Sequence, residues 1–245
     1  MTDVLRDKVI LVTGGGSGIG RATAQVLLSQ GARVVIWGRT RERLLETARQ
    51  AGHPDTLWWQ VCDVGDVEQV LHQVEQIRAR WGPVDILVNN AGVNVRERAV
   101  RQLTPESWRA IMRTNLDGVF HCIHAVLPDM RARRQGLIVT ISSIAGKRAS
   151  PLGGAAYAAS KFAVRALSIC LEAEEKDHGI RCCVIYPGEV DTPILEQRPH
   201  PVPAEHRQNI LKAEDVAQAV LFVVTRPPTV SIPELIVKPS AQTYI

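Results

Sequence analysis

The sequence predicts an α/β fold, a doubly wound parallel sheet of about seven strands with helices on both faces, and three observations carry that prediction. Short β-branched runs alternate with helical stretches of about ten residues or more, the pattern of parallel strands joined by crossover helices. The first such unit carries a glycine-rich turn, TGGGSGIG, between its strand and its helix. There is no internal repeat, low-complexity segment or linker, so one domain is expected over residues 1–245, and right-handed crossovers favour the doubly wound arrangement.

In chain order, KVILVT at 8–13 is apolar enough for a strand buried on both faces. RATAQVLLSQGA then reads as a helix ending at Gly31, and ARVVIWGR as a second buried strand. A helix at 41–51 precedes a strand at 56–61, Asp66 caps a helix to about Trp81, and 84–88 forms the fourth strand. Thr104-Pro105-Glu106 is a helix start: a capping side chain, proline in the first turn, then an acid. That helical stretch runs past Asn115 to about Arg131, long enough for two helices or one bent one. Arg131, Arg133 and Arg134 read as its solvated end before a stop at Gly136. The fifth strand is 136–142. In the next helix Phe162, Val164, Ala166, Leu167, Ile169, Cys170 and Leu171 recur at helical spacing. A sixth strand at 180–186, a helix at 214–224 and a seventh strand at 231–237 complete the pattern. Residues 189–211, with four prolines, form the one long irregular segment. It follows the sixth strand at the edge where open α/β sheets bind ligands, so it is read as a substrate lid, against a tolerated surface insertion.

Composition narrows the function classes. An apolar content of 45%, a charged content of 22% and a formal net charge of +4 are ordinary for a soluble globular protein. The charge would help an anionic ligand approach but makes no case for nucleic acid. Five cysteines without a Cys-x-x-Cys pair argue against a disulfide framework, and Cys182 and Cys183, adjacent in a strand, should face opposite ways. His121, Cys122 and His124 lack a second ligand cluster, so no metal site is expected. No run approaches the ~18 apolar residues of a membrane span, and the N-terminus has no signal-peptide layout. A reduced, cytoplasmic protein is the expectation.

Several motifs fall at the carboxyl edge of the predicted sheet. Gly14, Gly18 and Gly20 allow a tight turn, approach of a pyrophosphate to the backbone, and close packing of the helix on the sheet. With Ser17 and Ile19 they would set an anion on the helix N-terminus. Their G-x-x-x-G-x-G spacing differs from the usual dinucleotide fingerprint. Asn90, Ala91 and Gly92, in NNAG after the fourth strand, would line the cofactor and hold the strand end. Ser142 and Ser143 end the fifth strand. Tyr157 and Lys161 are four apart and share one helix face. A cation beside a phenol favours its ionised form and makes it a usable proton donor or acceptor near neutral pH.

With these residues in place the sequence resembles the short-chain dehydrogenase/reductase family, a Rossmann-like fold, from Lys8 to about Gly188. The resemblance implies hydride transfer between a nicotinamide and a carbonyl or secondary alcohol. It implies Tyr157 as acid/base, Lys161 lowering its pKa and holding the nicotinamide ribose, and Asn115 holding a water in the proton relay. Ser143 is implied as the serine that orients the substrate, with Ser142 as the alternative. Pro187, Gly188, Val190 and Thr192 correspond to the segment beside the nicotinamide amide, and Asp63 and Val64 to the adenine side. A homotetramer or homodimer is also implied.

Charge favours NADP(H) over NAD(H). Gly38 stands where an acid would bind the ribose 2′-hydroxyl, and Arg39 follows it, suited to a 2′-phosphate. The alternative, that Arg39 and Arg41 are solvated first-turn residues, conflicts with the helix dipole. The C-terminal segment looks more like the branch of 3-hydroxy acid and related carbonyl reductases. Arg148, Arg198, His200 and Arg207 are either partners for a substrate carboxylate or surface charges. Two other functions fit the same fold: a non-catalytic cofactor-binding regulator, and a dehydratase or epimerase using the cofactor transiently.

Overall fold

The computed structural model describes residues 4–243. Its elements run β1 (Val9–Thr13), α1 (Gly18–Leu28), β2 (Arg33–Gly38), α2 (Arg41–Gln50), β3 (Leu57–Val61), α3 (Val67–Trp81) and β4 (Ile86–Asn89). The second half runs α4 (Pro105–Met112), α5 (Gly118–Arg133), β5 (Gly136–Ile141), α6 (Ala155–Glu175), β6 (Ile180–Pro187), β7 (Val190–Asp191), α7 (Ala204–Gln208), β8 (Leu211–Lys212), α8 (Ala213–Val224) and β9 (Glu234–Val237). Seven strands form one sheet in the order β3-β2-β1-β4-β5-β6-β9, every pairing parallel, as the alternation of strands and helices predicts.

Alternate residues of each central strand go to opposite faces, and each face has its own core. Ile10, Val12, Val34, Ile36, Val139 and Ile185 meet Ala24 and Leu27 of α1 and Val216, Val220 and Val223 of α8. Val9, Leu11, Val35, Leu87 and Ile138 meet Val70, Val74 and Ile77 of α3, Cys122 and Val126 of α5, and Val164 and Leu171 of α6. Cys182 and Cys183 divide between these two cores, as strand alternation requires. Both predicted caps form: Asp66 accepts from Gln69 N at 3.1 Å, and Thr104 from Ser107 N at 3.1 Å.

One reading changes. The stretch around Asn115 is neither two separate helices nor a simple bend: a π-helical turn, Arg113–Asp117, joins α4 to α5. Residues 131–134 are the exposed end of α5, as expected, and two of the arginines also form ion pairs. Glu175 is buried and needs a cation, which Arg131 supplies at 2.7 Å, while Arg133 pairs with Asp85 at 2.9 Å. The chain turns at Arg134 in the left-handed region (φ 53°), and Gly136 opens β5 as expected, packed against the Met130 side chain.

The irregular segment is more structured than its prolines predict. β7 and β8 pair in parallel, Val190 with Leu211 and Asp191 with Lys212, so the two ends of the excursion are fastened together. Asp191 also holds Arg207 at 3.3 Å and Lys212 at 3.1 Å, and Glu189 holds Arg198 at 3.3 Å and the ring of His206. Among the described residues no helix is long and apolar enough to cross a membrane.

Candidate active site

Between β1 and β4 the strand order reverses, and the chain leaves the two strands in opposite directions to open a crevice at their carboxyl ends. Asn90 fixes that crevice. Its Nδ2 donates to the Thr13 carbonyl at 2.9 Å, and Thr13 Oγ1 accepts from the backbone N–H groups of Asn90 and Ala91, each at 3.0 Å. Gly14 turns away at φ +67°, where a Cβ would lie 2.8 Å from Asn90 Nδ2. At Gly20 a Cβ would overlap the Gly14 carbonyl, so that glycine lets α1 pack onto the turn.

A cavity of about 600 Å³ occupies the crevice. Gly14, Ser17, Gly18 and Ile19 line one side, Asn90, Ala91 and Gly92 the floor, and Ser143, Tyr157 and Lys161 the far wall. Pro187, Gly188, Val190 and Thr192 close it above, followed by the chain from Pro193 to Arg198. A smaller recess of about 140 Å³ adjoins it, bounded by Trp37, Gly38, Arg39, Arg43, Asp63 and Val64. Of the expected catalytic and cofactor-binding residues, only Gly20 and Asn115 line neither space; of the four candidate partners for a substrate carboxylate, Arg148 and Arg198 line the cavity, and His200 and Arg207 do not.

The two serines have different jobs. Ser142 is buried and donates to the Lys161 carbonyl at 3.1 Å, tying β5 to α6. Ser143 caps the following 3₁₀ turn, accepting from Ala145 N at 3.1 Å, and its hydroxyl shares a hydrogen bond with the Tyr157 phenol. Burial pushes that phenol above its ordinary pKa, while the Ser143 hydrogen bond and the charge of Arg98 pull the other way. Lys161 is only 4% exposed. Its Nζ donates to the Ile141 carbonyl at 2.9 Å and stands 5.6 Å from the centroid of the Tyr157 ring. Burial pulls its pKa down to about 8.

Asn115 is wholly buried behind the wall. Its Oδ1 accepts from Val93 N at 2.8 Å, and its Nδ2 donates to the Val93 carbonyl at 3.0 Å and to Ser160 Oγ at 3.1 Å. Ser160 in turn donates to the Tyr157 carbonyl at 2.7 Å. The π turn supplies the local geometry for this contact, since it shifts the helical register where Asn115 sits. Asn115 thus links the loop after β4 to the helix that carries Tyr157.

A stability prediction follows from Lys161. The unfolded chain holds the lysine proton to about 10.5 and the folded chain only to about 8, so between those values the folded state gains as pH rises. Wild type should become more stable relative to Lys161→Met by at most about 1.4 kcal/mol per pH unit in that window. Urea unfolding of both proteins at pH 7.5 and pH 10 measures it; a constant difference would show that the ammonium is not desolvated.

The site suits a dinucleotide. The first turn of α1 contains no acid, and Ser17, at its N-cap, makes no side-chain bond to the helix, so its N–H groups remain for an anion. Asp63 lies at the recess; burial pushes its carboxyl up, but Arg113 and the Gly65 N–H outweigh that and hold it below the usual range. Arg39 and Arg43 both line the recess and the main cavity. Arg41 instead lies over the Trp59 ring, 5.7 Å from its centroid. Sequence reasoning named Arg39 and missed Arg43, which lies one turn into α2. It also missed Arg98, whose burial comes from tertiary packing. His121, Cys122 and His124 go elsewhere: one to the Val64 carbonyl, one into the core, one onto Phe120.

Comparison with known proteins agrees with this geometry. A family model described as short chain dehydrogenase matches residues 8–202. An uncharacterised oxidoreductase of Staphylococcus saprophyticus is 35% identical over 237 residues, 96% of this chain and 98% of that protein. The 3-oxoacyl-[acyl-carrier-protein] reductase of Thermotoga maritima is 34% identical over 231 residues, 90% of this chain and 92% of that protein. Among solved structures, the closed form of a serine dehydrogenase complexed with NADP+ superposes with a TM-score of 0.89 at 32% identity, covering 96% of each chain.

Proposed function

Because the chain belongs to the short chain dehydrogenase family, we propose that it is an NADP(H)-dependent oxidoreductase interconverting a carbonyl and a secondary alcohol. The substrate class is a 3-hydroxy or 3-oxo acid or a related compound. The observation that carries the reading is the convergence of Tyr157, Ser143 and Lys161 on the same cavity as the glycine-rich turn. Relatives that are oxidoreductases support the reaction class. The neighbour named serine dehydrogenase, complexed with NADP+, supports both the phosphorylated cofactor and a hydroxy acid.

When bound, NADP(H) supplies or accepts the hydride. Gly14, Ser17, Gly18 and Ile19 would hold its pyrophosphate, Arg39 and Arg43 its 2′-phosphate, Asp63 and Val64 its adenine side, and Pro187 to Thr192 its amide side. The chain's own residues handle the proton. In reduction, Tyr157 gives its phenolic proton to the carbonyl oxygen, which Ser143 holds by a hydrogen bond. The Lys161 charge stabilises the phenolate left behind. Asn115 keeps the helix and the loop after β4 in register, and a water held there would refill the relay. In oxidation the same groups run in reverse.

Titration of NADPH fluorescence, followed by a panel of ketones, 3-oxo acids and 3-oxoacyl thioesters monitored by NADPH absorbance, tests the proposal. NADPH binding with no turnover across the panel would favour the regulator instead.

Residues 189–211 act as a lid over this cavity, and the pairing of β7 with β8 supports a closure confined to the segment between them. Backbone amides of 193–209 should gain protection from hydrogen exchange on formation of the ternary complex, while those of β5 and β6 stay constant. Unchanged protection in the segment would leave a surface insertion. Exposed Trp108, Phe120, Phe162 and Ile169 on α4, α5 and α6 support association with a second copy of the chain.

A further inference from the structure

We infer that the substrate end of the cavity is a carboxylate-recognition subsite built on Arg98, with Arg198 beside it. The inference rests on the oxidoreductase reading above and specifies what that site selects.

Arg98 is 6% exposed, and it lines the same cavity as Tyr157 and Ser143. Its Nε donates to the Val95 carbonyl at 2.9 Å, Nη1 to the Leu152 carbonyl at 2.9 Å, and Nη2 to the Gln197 carbonyl. All three acceptors are backbone oxygens. They come from three segments: its own loop, the turn before α6, and the lid. A guanidinium has five N–H groups, so one on each terminal nitrogen remains to donate. The side chain is also pinned from behind. A Cβ on Gly154, the residue before α6, would overlap Arg98 Cβ.

The electrostatics are lopsided. Among the described residues no carboxylate forms an ion pair with Arg98, and backbone carbonyls satisfy hydrogen bonds without cancelling a unit charge. Two acids border this part of the cavity. Glu189 is engaged by Arg198 and by His206, and Glu196 is exposed. Burial and the nearby charge of Arg198 hold the Arg98 pKa below its usual range, yet an arginine does not shed its proton in a protein. A buried cation without an anion, on the cavity that also holds the Tyr157 phenol, is therefore completed by an anion on the ligand. The planar fork of a guanidinium matches a carboxylate with two parallel hydrogen bonds. The same cavity must also take the dinucleotide, so the acids tested are small.

The test compares 2-, 3- and 4-oxo acids with their methyl esters, pairs that differ in charge but little in shape. Calorimetric binding to the enzyme–NADP+ complex and NADPH-dependent turnover are both measured. At the best chain length, the acid should exceed its ester in kcat/KM by on the order of 10²-fold. In Arg98→Met, which also loses three main-chain hydrogen bonds, the acid should lose at least about tenfold more kcat/KM than its ester, so that the preference collapses. Arg98→Lys, which keeps charge but not the fork, should fall between. Esters that equal the acids in wild type, in binding and in turnover, would overturn the inference, whatever the variants do. So would a panel in which no acid binds better than its ester, or an Arg98→Met enzyme that loses acid and ester activity equally, which would make the residue a clamp only. Failure of the parent reading looks different, because then NADPH itself neither binds nor is consumed with any carbonyl.

Discussion

Tyr157→Phe is expected to slow carbonyl reduction by on the order of 10²-fold or more while leaving NADPH affinity little changed. Phenylalanine keeps the ring against which Lys161 stands, and Ser143 retains its bond from Ala145 N, so the wall of the cavity should survive. What disappears is the proton proposed to reach the carbonyl oxygen. Turnover under saturating NADPH, with the dissociation constant from fluorescence quenching, separates chemistry from binding. A variant with near-normal turnover on a good substrate would mean that another group is the acid. Lys161→Met should fail on both counts, because its charge is proposed to serve the phenolate and the cofactor ribose together.

The second large effect concerns cofactor choice. Wild type should prefer NADPH, and Gly38→Asp combined with Arg39→Ser should reverse the preference, changing the NADPH-to-NADH ratio of kcat/KM by on the order of 10²-fold or more. The new carboxylate would repel a 2′-phosphate and accept from a 2′-hydroxyl. Gly38 does not sit at a positive φ, and a Cβ there would first meet buried Leu44 Cδ2 at 3.3 Å, so Leu44 must shift by a few tenths of an ångström to admit it. Arg43 remains in the double variant, so replacing it as well should deepen the reversal. Equal use of both cofactors by wild type would remove the argument.

Much of this was legible in the chain because the relevant signals are local. Strand runs, the glycine turn, the caps at Asp66 and Thr104 and the four-residue step from Tyr157 to Lys161 depend on neighbours in sequence. The parallel sheet followed from the alternation of these elements. What was not legible depends on distant partners. Arg131 is exposed as its sequence suggests, but the buried charge of Glu175 also makes it an ion-pair partner, and nothing near Arg131 announces that pairing. The division of labour between Ser142 and Ser143 is set by which way the chain leaves β5 towards α6. Arg98 stands between Arg96 and Arg101, both exposed, and nothing local sets it apart; only the folding of three separate segments around it buries one of the three.

The way Arg98 is gripped has an evolutionary consequence. Its acceptors are main-chain oxygens, which every amino acid provides, so substitutions at Val95, Leu152 and Gln197 that keep the backbone path leave the grip intact. Descendants of this chain are thus free to reshape the rim of the cavity, and with it the remainder of the molecule they accept, while the guanidinium stays where it is. A lineage diversifying under that constraint would explore new side chains on its substrates sooner than it would lose its central arginine.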